Sequence, residues 1–192
     1  MSEPNWAGAP VIPVVVIDDP AQGPPLARAL LAGGVGIVEV TLRTDGALGA
    51  IARIRSEVPE IWVGAGTIRG NDDIDRALQA GAQFLVSPGT TAALRAGLIA
   101  AEVPSLPGVA TIGEAMTALD EGFPVVKIFP ISALGGRDLV RALAAVLPEL
   151  GVCPTGGLDP RSAADFSPAD PNAARHAADR VPRHDGCEDL RQ

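Results

Sequence analysis

Short runs of apolar, β-branched residues alternate along the chain with longer stretches whose apolar residues recur at helical spacing. The predicted strands are 11–17, 37–41, 61–64, 84–87, 104–106, 125–129 and 152–155. The predicted helices between them are 24–32, 48–57, 72–80, 91–101, 112–121 and 138–147. Thr111 with Glu114 predicts a capping box at one helix start, and Asn71 predicts a helix cap at another.

Strands that alternate with helices of this length form parallel sheets, because each connection must cross over the sheet. Glycine and proline cluster directly after several strands, where a barrel carries the loops of its functional face. The turn at 17–20 lacks the glycines that a doubly wound sheet requires. We therefore expect an α/β fold, a TIM-type (β/α)₈ barrel. It is predicted to be incomplete, since seven strands are recognisable and an eighth is not found.

The end of the chain differs in composition from the rest. Charged residues become roughly twice as dense after residue 160, and the apolar periodicity disappears. We expect a barrel domain over residues 1–160 and a polar C-terminal tail over residues 161–192 that is not part of a regular barrel. His176 and His184 lie in this tail without an apolar framework, so we interpret them as solvated rather than catalytic.

Composition and charge narrow the possible partners. The 192 residues are 47% hydrophobic, which suffices for one substantial core, and the formal net charge of −8 opposes binding to nucleic acid. Cys153 and Cys187 have neither the number nor the spacing of a zinc site or a disulfide framework, so no metal is expected. No run approaches the roughly 20 apolar residues that span a bilayer. We expect a cytoplasmic protein with no membrane partner.

The only lysine of the chain, Lys127, lies inside the predicted strand 125–129 with apolar neighbours on both sides. Loss of hydration disfavours the ammonium form there, so a neutral, nucleophilic amine becomes available, as Schiff-base catalysis requires. Strand alternation leaves Lys127 pointing either into the barrel or toward the helices. The structural alternative is a lysine that pairs with a carboxylate or reaches one end of the barrel. We favour the catalytic interpretation, because a central strand offers no easy route to water.

A second group of polar residues follows the strand 37–41. Glu39, Thr41 and, if the strand continues, Arg43 share one face. Glu39 could shuttle protons while Arg43 binds a substrate carboxylate through its guanidinium. An internal Glu–Arg ion pair that only holds the strand in place is equally consistent with this segment.

Two glycine-rich segments, 64–67 and 155–157, follow predicted strands. Bare backbone N–H groups in such turns can approach an anion closely. Tight turns of the kind found in any barrel explain the same glycines, so neither segment is specific.

Together these segments resemble the bacterial class I 2-keto-3-deoxy-6-phosphogluconate (KDPG) aldolases, also described as 4-hydroxy-2-oxoglutarate (KHG) aldolases. The resemblance extends from about residue 13 to residue 160. It is carried, in order, by Val-Glu-Val-Thr-Leu-Arg-Thr at 38–44, Val-Gly-Ala-Gly-Thr at 63–67, Phe84 with Ser-Pro-Gly at 87–89, Pro-Gly at 107–108, Lys-Ile-Phe-Pro at 127–130 and Cys-Pro-Thr-Gly-Gly at 153–157.

The resemblance implies a (β/α)₈ barrel, usually a homotrimer, that acts on a keto-acid phosphate. The family cleaves KDPG to pyruvate and glyceraldehyde 3-phosphate in the Entner–Doudoroff route, and KHG to pyruvate and glyoxylate. Its Schiff-base lysine falls on Lys127, its acid/base glutamate on Glu39 and its carboxylate-binding arginine on Arg43. No metal or cofactor is implied, because the substrate itself forms the imine. Pocket-lining residues of the family match Thr67, Pro88, Phe129 and Thr155, and its phosphate-approaching backbone matches Gly156 and Gly157.

After about Phe166 the sequence departs from the family pattern, since neither the eighth strand nor its Gly-Gly-Ser phosphate turn is recognisable. A change of reading frame or a replaced terminus would produce this departure. Two alternatives follow. The related 2-dehydro-3-deoxy-6-phosphogalactonate aldolases suit residues 127–133 equally well, although 39–44 and 154–157 favour the gluconate type. A catalytically impaired barrel that serves as an interaction subunit is the second alternative.

Overall fold

The structure, a computed structural model, describes residues 11–159 and Phe166. Its strands are β1 (Val14–Val15), β2 (Ile37–Thr41), β3 (Trp62–Gly66), β4 (Leu85–Val86), β5 (Ser105–Leu106), β6 (Gly108–Val109), β7 (Val125–Ile128) and β8 (Gly151–Pro154). Its α-helices are α1 (Gly23–Ala32), α2 (Ala47–Glu57), α3 (Asn71–Gln79), α4 (Ala92–Ala100), α5 (Ile112–Asp120) and α6 (Arg137–Val146). The predicted alternation of strands and helices is confirmed, with the ends of most elements shifted by one or two residues.

All the strand pairs are parallel. One sheet has the order β1-β2-β3-β4-β5 and the other the order β6-β7-β8. The structure has one stretch of strand that is interrupted at Pro107, which has no N–H to donate. Its first half, β5, matches the predicted strand 104–106, whereas its second half, β6, lies where the sequence predicted a loop. The first half pairs with β4 and the second with β7, so this segment joins the two sheets.

The barrel is open between β1 and β8, because no ladder joins these two strands within the described part of the chain. The predicted absence of an eighth strand and the predicted polar tail at 161–192 concern residues outside those described, apart from Phe166. The α/β fold with an incomplete barrel therefore holds for residues 11–159.

Two apolar clusters lie on opposite faces of the strands. The outer cluster buries Val38 and Val40 of β2 and Val126 and Ile128 of β7 together with helix residues. The inner cluster joins residues from strands that are not neighbours, as side chains that meet inside a barrel must do. Its buried members are Ile37, Phe84, Val86, Leu106 and Val125. Strand alternation therefore directs Glu39 and Lys127, which share faces with Ile37 and Val125, into the barrel.

Local signals set several helix ends. The predicted capping box is confirmed, because Thr111 Oγ1 accepts a hydrogen bond from the Glu114 backbone N–H and Glu114 accepts one in return. The predicted Asn71 cap is wrong. Gly70 occupies the N-cap position and Asn71 is the first helical residue. Across the described residues, none of the helices has the length and apolar character needed to span a membrane.

Candidate active site

A buried amine and a buried carboxyl face each other inside the barrel. Lys127 on β7 donates a hydrogen bond to Glu39 on β2, with 3.4 Å between Nζ and Oε1. The two side chains are only 6% and 4% exposed. Of the two orientations that the strand pattern left open, Lys127 therefore has the inward one. Such burial of two charged groups is costly unless they are paired, so the pair has to form as the barrel folds.

Burial raises the pKa of Glu39 above its ordinary value. The charge and hydrogen bond of Lys127, and the more distant charge of Arg43, act in the opposite direction but do not outweigh the loss of solvent. Glu39 therefore takes up a proton at a higher pH than a solvated glutamate does. A carboxyl with a raised pKa is a stronger base than a solvated glutamate and can both accept and return a proton, which suits a general acid/base.

Phe129 covers the amine from the carboxyl end of β7. The Lys127 Nζ lies 5.5 Å from the centre of the Phe129 ring, within the range of a cation–π contact. The ring in turn packs against Gly156, where an added Cβ would lie 3.0 Å from two ring carbons. Gly156 also has a positive φ of 94°, a conformation that favours glycine. These contacts bring Phe129 and Gly156 to the catalytic candidate Lys127.

Cys153 is a site residue whose position was not foreseen from the sequence. It is paired with Lys127 in the β7–β8 register, and its side chain packs against the inner cluster. Burial raises the pKa of its thiol. Because a protonated thiol is a poor nucleophile, Cys153 does not compete with the amine. Strand alternation is the signal that could have found it, because it places Cys153 and Thr155 on one face.

Arg43 does not continue the strand. β2 ends at Thr41, and Arg43 lies exposed in the turn that follows. Its Nε donates a hydrogen bond to Thr67 Oγ1 at 3.3 Å. Thr67 has a φ of 62°, which is unusual for a β-branched residue, so the backbone is strained where its hydroxyl meets Arg43. The hydroxyl of Thr41 donates to the carbonyl of Val15 and so connects β2 to β1.

The alternative of an internal Glu–Arg ion pair is wrong within the described residues, because Glu39 pairs with Lys127 instead. Arg43 lies beyond the end of the strand, so its guanidinium is left at the mouth of the barrel. This separation gives the acid and the guanidinium different partners. The two groups can therefore have different tasks.

The glycines at 64 and 66 are not in a turn, contrary to both interpretations of that segment. They lie in the extended strand β3 on the inward face. A Cβ on Gly64 would overlap the Phe84 ring, and a Cβ on Gly66 would overlap the Glu39 carboxyl. These glycines make room for side chains from the strands on either side of β3.

The segment 155–157, by contrast, is a turn. Gly156 and Gly157 both have positive φ, of 94° and 73°. The turn is held against the loop after β7, because the Ile131 N–H donates to the Thr155 carbonyl and the Ser132 N–H donates to that of Gly156. Backbone in this conformation can present N–H groups to an anion.

Pro88 follows β4, where its backbone packs against Gly108 so closely that a Cβ there would overlap it. The neighbouring Ser87 hydroxyl accepts a hydrogen bond from the Gly108 N–H at 3.0 Å. All the predicted site residues thus lie near or after the carboxyl ends of parallel strands, the edge at which barrels carry their active sites. Within residues 11–159 and Phe166 no cluster of three His, Cys, Asp or Glu residues could hold a metal.

Comparison with known proteins agrees with this geometry. The model of the KDPG and KHG aldolase family matches residues 4–177. The 2-dehydro-3-deoxy-phosphogluconate aldolase of Zymomonas mobilis is 46% identical over 158 residues, which cover 82% of this chain and 76% of the relative. The KHG/KDPG aldolase of Escherichia coli is 41% identical over 157 residues, which cover 82% of this chain and 74% of the relative.

Solved structures point the same way. One match is the KDPG aldolase of Legionella pneumophila, with pyruvate captured as a covalent carbinolamine intermediate. It has a TM-score of 0.83 and 38% sequence identity, and the matched region covers 88% of this chain and 82% of the Legionella chain. A structure of native KDPGal has a TM-score of 0.74 at 26% sequence identity, and the matched region covers 88% of this chain and 91% of the KDPGal chain. The chain therefore belongs to the KDPG and KHG aldolase family.

Proposed function

We propose that this protein is a class I aldolase, a lyase that cleaves KDPG to pyruvate and glyceraldehyde 3-phosphate and KHG to pyruvate and glyoxylate. The observation that carries the proposal is the buried pair of Lys127 and Glu39, 3.4 Å apart inside the barrel. The relatives at 46% and 41% identity are named for these substrates, whereas the KDPGal structure is 26% identical. The gluconate type is therefore favoured over the galactonate type.

The proposed reaction starts at the Lys127 nitrogen. Its lone pair attacks the keto carbon of the substrate, the carbonyl oxygen takes up protons and leaves as water, and a protonated imine remains. The bond between C3 and C4 then breaks as the C4 hydroxyl loses its proton, so its electrons move to the imine nitrogen and the aldehyde departs. Protonation of the resulting enamine and hydrolysis of the imine release pyruvate. Glu39 lies within reach of the nitrogen to accept and return these protons, directly or through water.

At the mouth of the barrel, Arg43 binds the carboxylate of the keto acid. A guanidinium matches a carboxylate in both charge and shape, and the Thr67 hydroxyl at 3.3 Å fixes its orientation. Thr67, Pro88, Phe129 and Thr155 line the pocket, and the backbone of Gly156 and Gly157 approaches the substrate phosphate. The substrate is then held at both ends around Lys127.

Replacing Arg43 by alanine should raise the KM for KDPG by about 10- to 100-fold with a smaller change in kcat, because a charge-assisted contact is worth about 1.5–3 kcal/mol. Steady-state kinetics measures both constants. The matched control is Arg53→Ala, which removes another exposed arginine, one that pairs with Glu57 on α2. An Arg43→Ala variant with the KM of the control would contradict the assigned role.

The activity itself is tested by release of pyruvate from purified protein, detected with lactate dehydrogenase and NADH. We expect pyruvate from KDPG and from KHG, and much less from 2-dehydro-3-deoxy-6-phosphogalactonate. Faster cleavage of the galactonate would reverse the choice of substrate. A folded protein that releases no pyruvate from any of the three would support the alternative of an impaired interaction subunit.

We further propose that the protein forms an oligomer, a homotrimer as in the resembling family, and works in the cytoplasm. Val11, Val14 and Val16 are exposed along and beside β1, the edge strand of the sheet. Burial of such residues and of an unpaired strand edge favours association. A phosphorylated, charged substrate does not cross membranes unaided, which favours the compartment where it is made.

A further inference from the structure

Strand β3 contributes unusually little to the interior it faces. Its inward positions are Trp62, Gly64 and Gly66, so only the first has a side chain. The space above it is occupied from both neighbouring strands, by the Phe84 ring next to Gly64 and by the Glu39 side chain next to Gly66. The carboxyl that faces Lys127 therefore lies directly over the Cα of Gly66.

From this contact we propose that Gly66 is a positioning residue for the aldolase reaction: its lack of a side chain provides the space in which the Glu39 carboxyl reaches Lys127. The inference rests on the proposed function. A Cβ at position 66 would overlap three atoms of Glu39, namely Cγ, Cδ and Oε1. The closest of them, Oε1, is the atom that accepts the hydrogen bond from Lys127, so the overlap displaces the bonded oxygen.

The surrounding backbone cannot absorb the overlap. β3 is paired with β2 along its whole length and with β4 on its other side, and the Gly66 carbonyl accepts a hydrogen bond of 2.8 Å from the Leu42 N–H. Gly66 also has no positive φ, so alanine is free of backbone strain at this position. The effect of Gly66→Ala must therefore act through the Glu39 side chain.

Gly66→Ala should lower kcat on KDPG by about 100-fold with a smaller change in KM, since a displacement of about 1 Å in a catalytic group has that effect. Gly64→Ala is the matched control, because it lies on the same strand and face but its Cβ meets the Phe84 ring rather than Glu39. Both variants should be less stable than the wild type. Only Gly66→Ala should change the pH dependence of kcat.

The shorter acid provides a rescue. Glu39→Asp alone should lower kcat, but in the Gly66→Ala background it should raise kcat, because an aspartate has one carbon fewer to collide with the new methyl group. If Gly66 merely stabilises the strand, Glu39→Asp should lower kcat in both backgrounds. Equal kcat and pH profiles for Gly66→Ala and Gly64→Ala, or no recovery in the double variant, would overturn the inference.

A readout independent of turnover separates this inference from the proposed function. In ¹³C-labelled protein, the carboxyl signal of Glu39 should titrate at a higher pH in Gly66→Ala than in the wild type, because the acid loses its hydrogen bond to Lys127. Gly64→Ala should leave that midpoint in place. If the wild type cleaves no keto acid but the midpoint still moves, the proposed function fails and the positioning contact stands. An unmoved midpoint overturns the contact itself.

Discussion

Replacing Lys127 by alanine should lower kcat on KDPG by about 10⁴-fold or more, since loss of the covalent nucleophile removes the path on which every later step depends. It should also abolish the adduct that borohydride fixes when the protein is incubated with pyruvate. Because Lys127 is the only lysine of the chain, the α-amino group is the only other amine that could form an imine. Mass spectrometry of peptides identifies which of the two carries the reduced pyruvyl group.

Stability has to be separated from chemistry in this experiment. Removing one member of a buried ion pair costs about 3–5 kcal/mol, because the remaining charge is left without a partner. The upward shift in the pKa of Glu39 moderates this cost, since the carboxyl can bind a proton instead. Lys127→Met fills the space better and should melt closer to the wild type, yet form no adduct. A wild-type adduct confined to the α-amino group, or cleavage of KDPG by Lys127→Met at the wild-type rate, would refute the assignment of Lys127.

The sequence was sufficient for the helices and most of the strands, because these follow from apolar periodicity over many residues, but it left two orientations open for the lysine. Strand alternation divides this segment into two sets, with Val125, Lys127 and Phe129 on one face and Val126 and Ile128 on the other. What the pattern leaves open is which of the two faces meets the helices. That choice is made by the outer cluster, which buries the two apolar residues of the second set. Long-range packing thus selected between two faces that the strand pattern had already defined.

Contacts between distant segments could not be derived in this way. Glu39 and Lys127 are 88 residues apart, and their pairing depends on the curvature of the whole sheet. Glycines at 64 and 66 are typical of a turn, whereas the Glu39 side chain, which approaches from β2, is what requires Gly66. Asn71 was predicted to cap α3. The carboxylate of Asp73 instead accepts a hydrogen bond from the Arg69 N–H, and Gly70 occupies the cap.

Glu39→Gln should lower kcat by about 10²- to 10⁴-fold while leaving the borohydride-fixed pyruvate adduct on Lys127 detectable. The amide keeps the shape of the side chain and can still accept a hydrogen bond from the lysine, but it cannot carry a proton. Amine and acid thus divide the reaction between them: the first forms the bond to substrate, and the second moves protons around it. If Glu39→Gln forms no more adduct than Lys127→Ala does, then Glu39 is needed for the amine to react with pyruvate at all.

The pH dependence gives the sharper test, because its direction follows from the raised pKa of Glu39. As the pH falls through that pKa, the carboxylate becomes protonated and can no longer accept a proton, so wild-type kcat should fall at a higher pH than a solvated glutamate would cause. Glu39→Gln should lack this acid limb.

The free energy of unfolding should also depend on pH through Glu39, in the direction set by its raised pKa. The folded protein binds the Glu39 proton more tightly than the unfolded chain, so the wild type should lose stability relative to Glu39→Gln as the pH rises from the ordinary glutamate pKa to the raised one. Parallel pH profiles of kcat and of melting temperature for the two proteins would mean that Glu39 does not titrate in this range, and the proton relay would then need another residue.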